Sequence, residues 1–175
     1  MFAEGLGAVG TALQPHGRRT RPTSASRRRV RPCVLFLCAG NSARSQNAGA
    51  LLRHRSAGTV DTRSAGSDPK ALHPHAVRAM AERGIDIAGA TTKHHRRFAL
   101  LHVDRVVTLC DRVRDVCPTF PGDPTVAHWS TADPALEGGA GDASYSAFVR
   151  TADELDGRVG VLLAQLTPPQ EEPRG

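Results

Sequence analysis

Aromatic residues make up only 4% of this 175-residue chain, with one tryptophan, one tyrosine and five phenylalanines, so aliphatic side chains and alanine must supply most of the core. No apolar run approaches the ~18 residues that a membrane span requires. Cysteine is scarce as well. Four thiols in a chain of this size are too few for a disulfide scaffold and suit a reducing compartment. Hydrophobic residues at 39% and charged residues at 23% are ordinary globular usage, which sets aside the disordered and collagenous classes. The length suits one domain with a real core and is short for two.

A negative excess is also missing, since the formal charge is +6, and its location decides what it means. Arg18, Arg19, Arg21, Arg27, Arg28, Arg29 and Arg31 stand against a single acid, Glu4, whereas the remainder holds 16 basic and 16 acidic residues. A neutral body argues against a basic nucleic-acid groove. Residues 1–29 mix Gly, Ala, Pro, Ser, Thr and Arg without a helical or strand period, the composition of a disordered basic tail. Ser26-Arg27-Arg28-Arg29 ahead of Val34-Leu35-Phe36-Leu37 imitates a twin-arginine signal. The apolar stretch ends at Gly40-Asn41-Ser42, too soon for one, so the expected location is cytoplasmic.

From Val30 the texture changes. Cys33-Val34-Leu35-Phe36-Leu37 reads as a buried parallel strand, 44–55 as a helix, and 59–64 as a second strand. His73-Pro74 opens a helix that Gly84 stops. Residues 105–109 form another buried strand and 125–128 a short last one. From Tyr145, the positions Phe148, Ala152, Leu155, Val159, Leu162 and Leu166 mark one face of a closing helix. Strands alternating with helices over 30–167 predict an α/β domain, a parallel sheet with helices on both faces. Residues 168–175 are a polar, frayed end.

The sharpest motif is Cys38-Ala39-Gly40-Asn41-Ser42-Ala43-Arg44-Ser45, a Cys-x5-Arg loop between a buried strand and a helix start. Successive backbone N–H groups of such a loop, with the positive end of the helix, cradle a tetrahedral oxyanion. Helix N-termini and neighbouring cations lower a thiol pKa by ~1 to 5 units, so Cys38 is expected to be a nucleophilic thiolate. Arg44 offers a planar fork for two oxygens, and Ser45 a hydroxyl for the thiolate or the anion. The plain alternative is a buried strand-end cysteine beside an incidental arginine, which the strand–loop–helix setting disfavours.

Cys110-Asp111-Arg112-Val113-Arg114-Asp115-Val116-Cys117-Pro118 follows directly on a strand. Zinc would need two further ligands at suitable spacing, and none is evident. A static disulfide suits the compartment poorly, and two unrelated core thiols remain an alternative. A redox relay is favoured, because Cys110 leaves its strand at the edge of the sheet where Cys38 sits. Asp133-Pro134 places a loop carboxyl that could protonate a departing oxygen, although Asp-Pro is equally a helix-start turn. The pairs His73/His75 and His94/His95 read as solvated histidines rather than metal ligands. Gly138-Gly139-Ala140-Gly141 reads as a flexible loop, and Cys33 as core.

With these motifs in hand, the chain from Val34 to Leu166 resembles the low-molecular-weight tyrosine phosphatase superfamily and, within it, the thioredoxin-coupled arsenate reductases. The resemblance is carried by the Cys38 loop through Gln46, Ser64-Ala65-Gly66, His73-Pro74, the stretch from Cys110 to Gly122, His128-Trp129 and Asp133-Pro134. It implies a four-stranded parallel sheet and an oxyanion cradle from Ala39, Gly40, Asn41, Ser42, Ala43, Arg44 and Ser45. It also implies catalysis by Cys38, Arg44, Cys110, Cys117 and Asp133. Arsenate would be the substrate, phosphate and sulfate its competitors, and thioredoxin the external reductant. No bound cofactor or metal, no nucleic acid and no membrane are implied, and a monomer is expected. The phosphatases resemble the reductases in loop and acid but generally lack the second cysteine pair, so a tyrosine or phosphomonoester phosphatase is the competing enzyme. An anion-binding module with an unreactive Cys38 is the non-enzymatic reading.

Departures from the family pattern are local. Asn47 and Gly49 replace a commoner methionine and glutamate, which predicts a less stable first helix. Some relatives bind potassium through residues matching Asn41, Ser64, Thr91 and an aspartate at the position of Lys93, so a lysine there predicts no potassium site. Because residues 1–29 carry no apolar period, their deletion should leave activity and thermal midpoint within error. A fall of several degrees, the scale of ~1 kcal/mol at this size, would show that they pack on the domain.

Overall fold

The computed structural model describes residues 31–137 and 142–167; the expectations for residues 1–29, 138–141 and 168–175 lie outside these described residues. Strand β1 (Cys33–Cys38) is buried at all six positions, which requires cover on both faces and explains its unbroken apolar sequence. It lies at the centre of a four-stranded sheet ordered β2-β1-β3-β4, with β2 (Asp61–Gly66), β3 (Arg105–Thr108) and β4 (Thr125–His128). Every pairing is parallel, and the register sets Leu37 opposite Ala65 on one side and Thr108 on the other.

Helices α1 (Arg44–Arg55) and α2 (Pro74–Ala81) are followed by a 3-10 turn at His95–Phe98. Single helical turns α3 (Asp111–Arg114) and α4 (Pro134–Glu137) and the long α5 (Asp142–Leu166) complete the chain. The apolar face expected of α5 is buried from Phe148 through Leu162, and the helix packs against α1, α2 and α4. Parallel pairing makes the carboxyl ends of β1, β3 and β4 share one edge. The loops leaving them bring residues 38–44, 109–110 and 129–133 together there, the usual place for a site in an open α/β sheet.

Two expectations shift, and one helical turn is new. Strand β2 begins two residues later than the pattern suggests, because Thr59 is held in the turn closing α1: its N–H and hydroxyl both donate to the Ser56 carbonyl, after Ala57 and Gly58 take positive φ. The stretch after Cys110 contains a helical turn, anchored by the fully buried Val113. The histidines His73 and His75 are half-buried rather than solvated. His73 stacks on Phe148 with ring centroids 4.2 Å apart, and its Nδ1 caps α2 by accepting the His75 N–H.

Helix α1 carries an uncommon load of buried polar side chains, and one of them fails to find a partner. Asn47 is 1% exposed, and neither its Nδ2 nor its Oδ1 makes a hydrogen bond among the described residues. An unsatisfied buried amide costs ~1–3 kcal/mol. Asn47→Met should therefore raise stability by about that amount, read as a rise of several degrees in thermal midpoint; an unchanged or lower midpoint would show that the amide is satisfied in solution.

Glycine is obligatory at the end of β2. A Cβ on Gly66 would lie 2.5 Å from the Ala39 carbonyl oxygen and 2.9 Å from the Asn41 nitrogen, so the strand presses bare backbone against the Cys38 loop. Gly66→Ala should cost ~1–3 kcal/mol from overpacking and, by displacing that loop, weaken phosphate binding. Calorimetric titration with phosphate checks this, and wild-type affinity would show that the loop yields freely.

Candidate active site

An oxyanion cradle requires N–H groups pointing inward, and therefore carbonyls pointing out to other partners. Here those partners come from the segment after β2. The carbonyls of Ala39, Gly40 and Ser42 accept hydrogen bonds from the backbone N–H groups of Asp68, Lys70 and His73, each at 2.9 Å. The loop turns on Asn41, which is fully buried with φ 47° and donates its own N–H to Cys38 Sγ at 3.2 Å. Asparagine tolerates this left-handed backbone better than most side chains do. Helix α1 then starts at Ala43 with no side-chain cap and no acid in its first turn, which leaves its positive end directed at the loop.

The side chain of Asn41 is fixed from three directions. Its Oδ1 accepts from the Lys93 backbone N–H at 2.8 Å and from Gln46 Nε2 at 3.3 Å, and its Nδ2 donates to Ser45 Oγ at 2.8 Å. Since Ser45 Oγ accepts that bond, its hydroxyl hydrogen is left for Cys38 Sγ, 3.0 Å away. The Asn41 N–H and the Ser45 hydroxyl thus converge on the sulfur. Gln46 is held in turn by Ser64 Oγ, which donates to Oε1 at 3.2 Å, and by the Thr91 carbonyl, which accepts from Nε2 at 3.0 Å.

Arg44 joins the anion loop to the acid loop. One terminal nitrogen donates to the Thr131 carbonyl at 2.9 Å, and the other to Asp133 Oδ2 at 2.7 Å. Five N–H donors on a guanidinium leave the remainder for an oxyanion. Asp133 is about one-third exposed, and its second oxygen accepts the Ala135 N–H at 3.2 Å at the start of α4. The Asp-Pro dipeptide is thus both a helix-start turn and a carboxylate at the site.

The four cysteines divide by environment. Cys33 lies in β1, where burial, reinforced by Asp61, pushes its thiol up to about 11, and it is an inert core residue. Cys38 sits at the strand end under the two donors. Cys110 is buried one residue past Leu109, whose N–H donates to the Leu37 carbonyl at 2.8 Å, so Cys38 and Cys110 belong to neighbouring strands at the same sheet edge. Cys117 lies beyond α3, half-buried, and burial raises its thiol pKa. No group of three or more His, Cys, Asp or Glu side chains able to hold a metal occurs among the described residues. No helix there is long and apolar enough to cross a membrane.

The position that the resemblance matches to a potassium ligand does not fit the ion. Lys93 Nζ itself donates to the Thr91 carbonyl at 2.5 Å, and Arg53 and Arg63 line the same pocket of about 500 Å³. Burial, and then the nearby Arg97, Arg53 and Arg63, hold the Lys93 pKa below the ordinary lysine value. An ammonium group already meets the carbonyl that a cation would need.

Cys38, Arg44, Cys110 and Asp133 thus lie at one sheet edge, whereas Cys117 lies apart from them beyond α3, and several supporting residues had no motif to betray them. Thr131 acts only through its carbonyl, Lys93 through its N–H, and Gly66 through the absence of a side chain. Gln46 lay within the stretches carrying the resemblance without an assigned role, and Ser64 was matched there only to a potassium ligand.

Comparison with known proteins agrees with this geometry. The sequence model of the low molecular weight phosphotyrosine protein phosphatases matches residues 33–171. A curated arsenate reductase of Halalkalibacterium halodurans is 38% identical over 126 residues, covering 72% of this chain and 91% of that protein. The solved thioredoxin-dependent arsenate reductase of Corynebacterium glutamicum superposes with a TM-score of 0.58 at 34% identity, covering 77% of this chain and 61% of that one. A solved arsenate reductase in its phosphate binding state gives a TM-score of 0.64 at 28% identity, covering 78% of this chain and 99% of that one. With the match spanning the whole sheet and every loop at its carboxyl edge, the chain belongs to the low molecular weight phosphotyrosine protein phosphatase family.

Proposed function

We propose that this protein reduces arsenate to arsenite with Cys38 as nucleophile, and passes the oxidation to a Cys110–Cys117 disulfide that thioredoxin reopens. The observation that supports this reading over simple hydrolysis is that β1 and β3 are parallel neighbours, so that Cys38 and Cys110 both stand at the ends of strands on the same sheet edge, with Cys117 seven residues further on. The names of the relatives, arsenate reductases that include a thioredoxin-dependent one, support it.

The chemistry follows from the placements. Arsenate is held by the N–H groups of residues 39–45 and the free N–H groups of Arg44. The Cys38 thiolate attacks arsenic, forming an S–As bond, while one oxygen departs as water with a proton from Asp133. Cys110 thiolate then attacks Cys38 Sγ. The S–S bond forms, the S–As electron pair stays on arsenic, and arsenic(V) leaves as arsenite, arsenic(III). Cys117, its thiol proton lost to water as the segment carrying it opens, attacks Cys110 Sγ next, freeing Cys38 as thiolate. The dithiol of thioredoxin supplies the two electrons that reopen the Cys110–Cys117 bond. The relay is intramolecular, so a monomer suffices, and it requires a reducing compartment such as the cytoplasm. Phosphate and sulfate, being tetrahedral oxyanions, compete for the loop.

Hydrolysis of a phosphomonoester would use Cys38, Arg44, Asp133 and water and leave Cys110 and Cys117 idle. Single-turnover variants separate the two reactions. Cys38→Ser should abolish both, and Arg44→Lys should fail as well because a point charge cannot replace the two-pronged contact. Cys110→Ala should stop before arsenite release with an arsenic adduct on Cys38. Cys117→Ala should release one arsenite and stall as a Cys38–Cys110 disulfide, and both should keep aryl phosphate hydrolysis. Mass spectrometry after one arsenate exposure reads these states. Wild-type protein that forms no Cys110–Cys117 disulfide, yet hydrolyses an aryl phosphate efficiently, would refute the reductase reading.

A further inference from the structure

A side-chain chain outside the oxyanion site ends on the residue that follows Cys110. Thr108 Oγ1 lies 2.8 Å from His128 Nδ1, and His128 Nε2 lies 2.9 Å from Asp111 Oδ1. With Nε2 protonated, the imidazole donates to the carboxylate and accepts the threonine hydroxyl, so each atom of the chain has a matched role. Thr108 is buried in β3 and His128 closes β4, so two of the three members belong to the sheet.

The importance of that anchorage follows from where the backbone bonds stop. Leu109 is the last residue tied to neighbouring segments: its N–H donates to the Leu37 carbonyl and its carbonyl accepts from the Thr131 N–H. The carbonyl of Cys110 accepts only from Val113 and Arg114, both in α3 or its first turn, at 3.2 Å each. Opening this turn to bring Cys117 toward Cys110 would lose those two bonds. The second partner of Asp111, Arg114 at 3.6 Å, lies in the same turn and leaves as well. His128, being on the sheet, does not.

We propose that Thr108, His128 and Asp111 form a latch that holds Cys110 at the sheet edge beside Cys38 while residues 112–117 unwind to deliver Cys117. These are positioning residues that act through Cys110, and the proposal rests on the reductase reading above. The latch divides the segment into a fixed first residue and a movable remainder. It serves both sulfur transfers, since Cys110 is the attacking thiol in the first and the attacked sulfur in the second.

The test follows arsenite release and disulfide formation in a single turnover, by quench and mass spectrometry, alongside steady-state hydrolysis of an aryl phosphate. Asp111→Ala and His128→Ala should each slow arsenite release about tenfold, the effect of losing one charge-assisted hydrogen bond. Aryl phosphate hydrolysis, which needs only Cys38, Arg44 and Asp133, should stay at the wild-type rate. The double variant should be no slower than either single one, because both remove the same contact. His128→Gln, whose amide can donate from the place of Nε2, should recover most of the rate. Wild-type relay rates in both alanine variants would overturn the latch alone, as would equal losses of relay and hydrolysis, which mark a general structural defect. Wild-type protein that releases arsenite but forms no intramolecular disulfide overturns the relay, and the latch with it.

Discussion

An anion can be held by backbone only if the same stretch of chain finds somewhere else to send its carbonyls, and the rest of this site depends on how that is done. The N–H groups of Asp68, Lys70 and His73 take the carbonyls of Ala39, Gly40 and Ser42. The segment after β2 thus acts as an outer template for the loop after β1. That contact fixes Gly66, since any side chain there would strike the Ala39 carbonyl. It also fixes Asn41, whose left-handed backbone turns an N–H onto the sulfur while its amide reaches Ser45 and Lys93. A preformed ring of donors costs no reorganisation when charge arrives, which is where much of the catalytic effect of such sites originates.

Arg44 couples this rigid loop to a second one. Its contacts with the Thr131 carbonyl and the Asp133 carboxylate join residues almost ninety positions apart in sequence. The Asp133 carboxylate is therefore placed by the side chain that closes the Cys38 loop. Arg44 is the buried partner, so loss of the carboxylate would leave its charge uncompensated, which couples the two loops. Behind them, Phe148 of α5 stacks on His73, the residue whose N–H holds the last of the three loop carbonyls. Core packing is thus continuous with the geometry of the cradle.

The thiols show how one side chain takes different roles from its surroundings. Inside β1, burial and a neighbouring carboxylate keep Cys33 protonated; at the strand end, donors converge on Cys38. Cys110 follows the last residue tied to its neighbours by backbone bonds, and Cys117 sits beyond a single helical turn. A short turn with charged side chains, anchored by the single buried Val113, is easier to open than any strand of the sheet.

Much of this was legible in the sequence, for a physical reason: chemistry that depends on residue type and local spacing leaves a local trace. The unbroken apolar run of β1, the Cys-x5-Arg loop opening α1, the spaced apolar face of α5 and the cysteine pair after β3 each follow from near-neighbour constraints. The helix Arg44–Arg55 and the strand Thr125–His128 lie where their patterns set them. The tertiary structure alone decided the contacts between distant segments, which have no period to reveal them. Thr131 and Lys93 contribute through backbone atoms that every residue carries, and Gly66 contributes by lacking a Cβ. The stacking that buries His73 and the joining of Asp111 to His128 depend on which strands lie side by side. Sequence determined which groups could do the chemistry; the parallel register of β1, β3 and β4 determined which of them meet, because only folding brings their carboxyl ends to one edge.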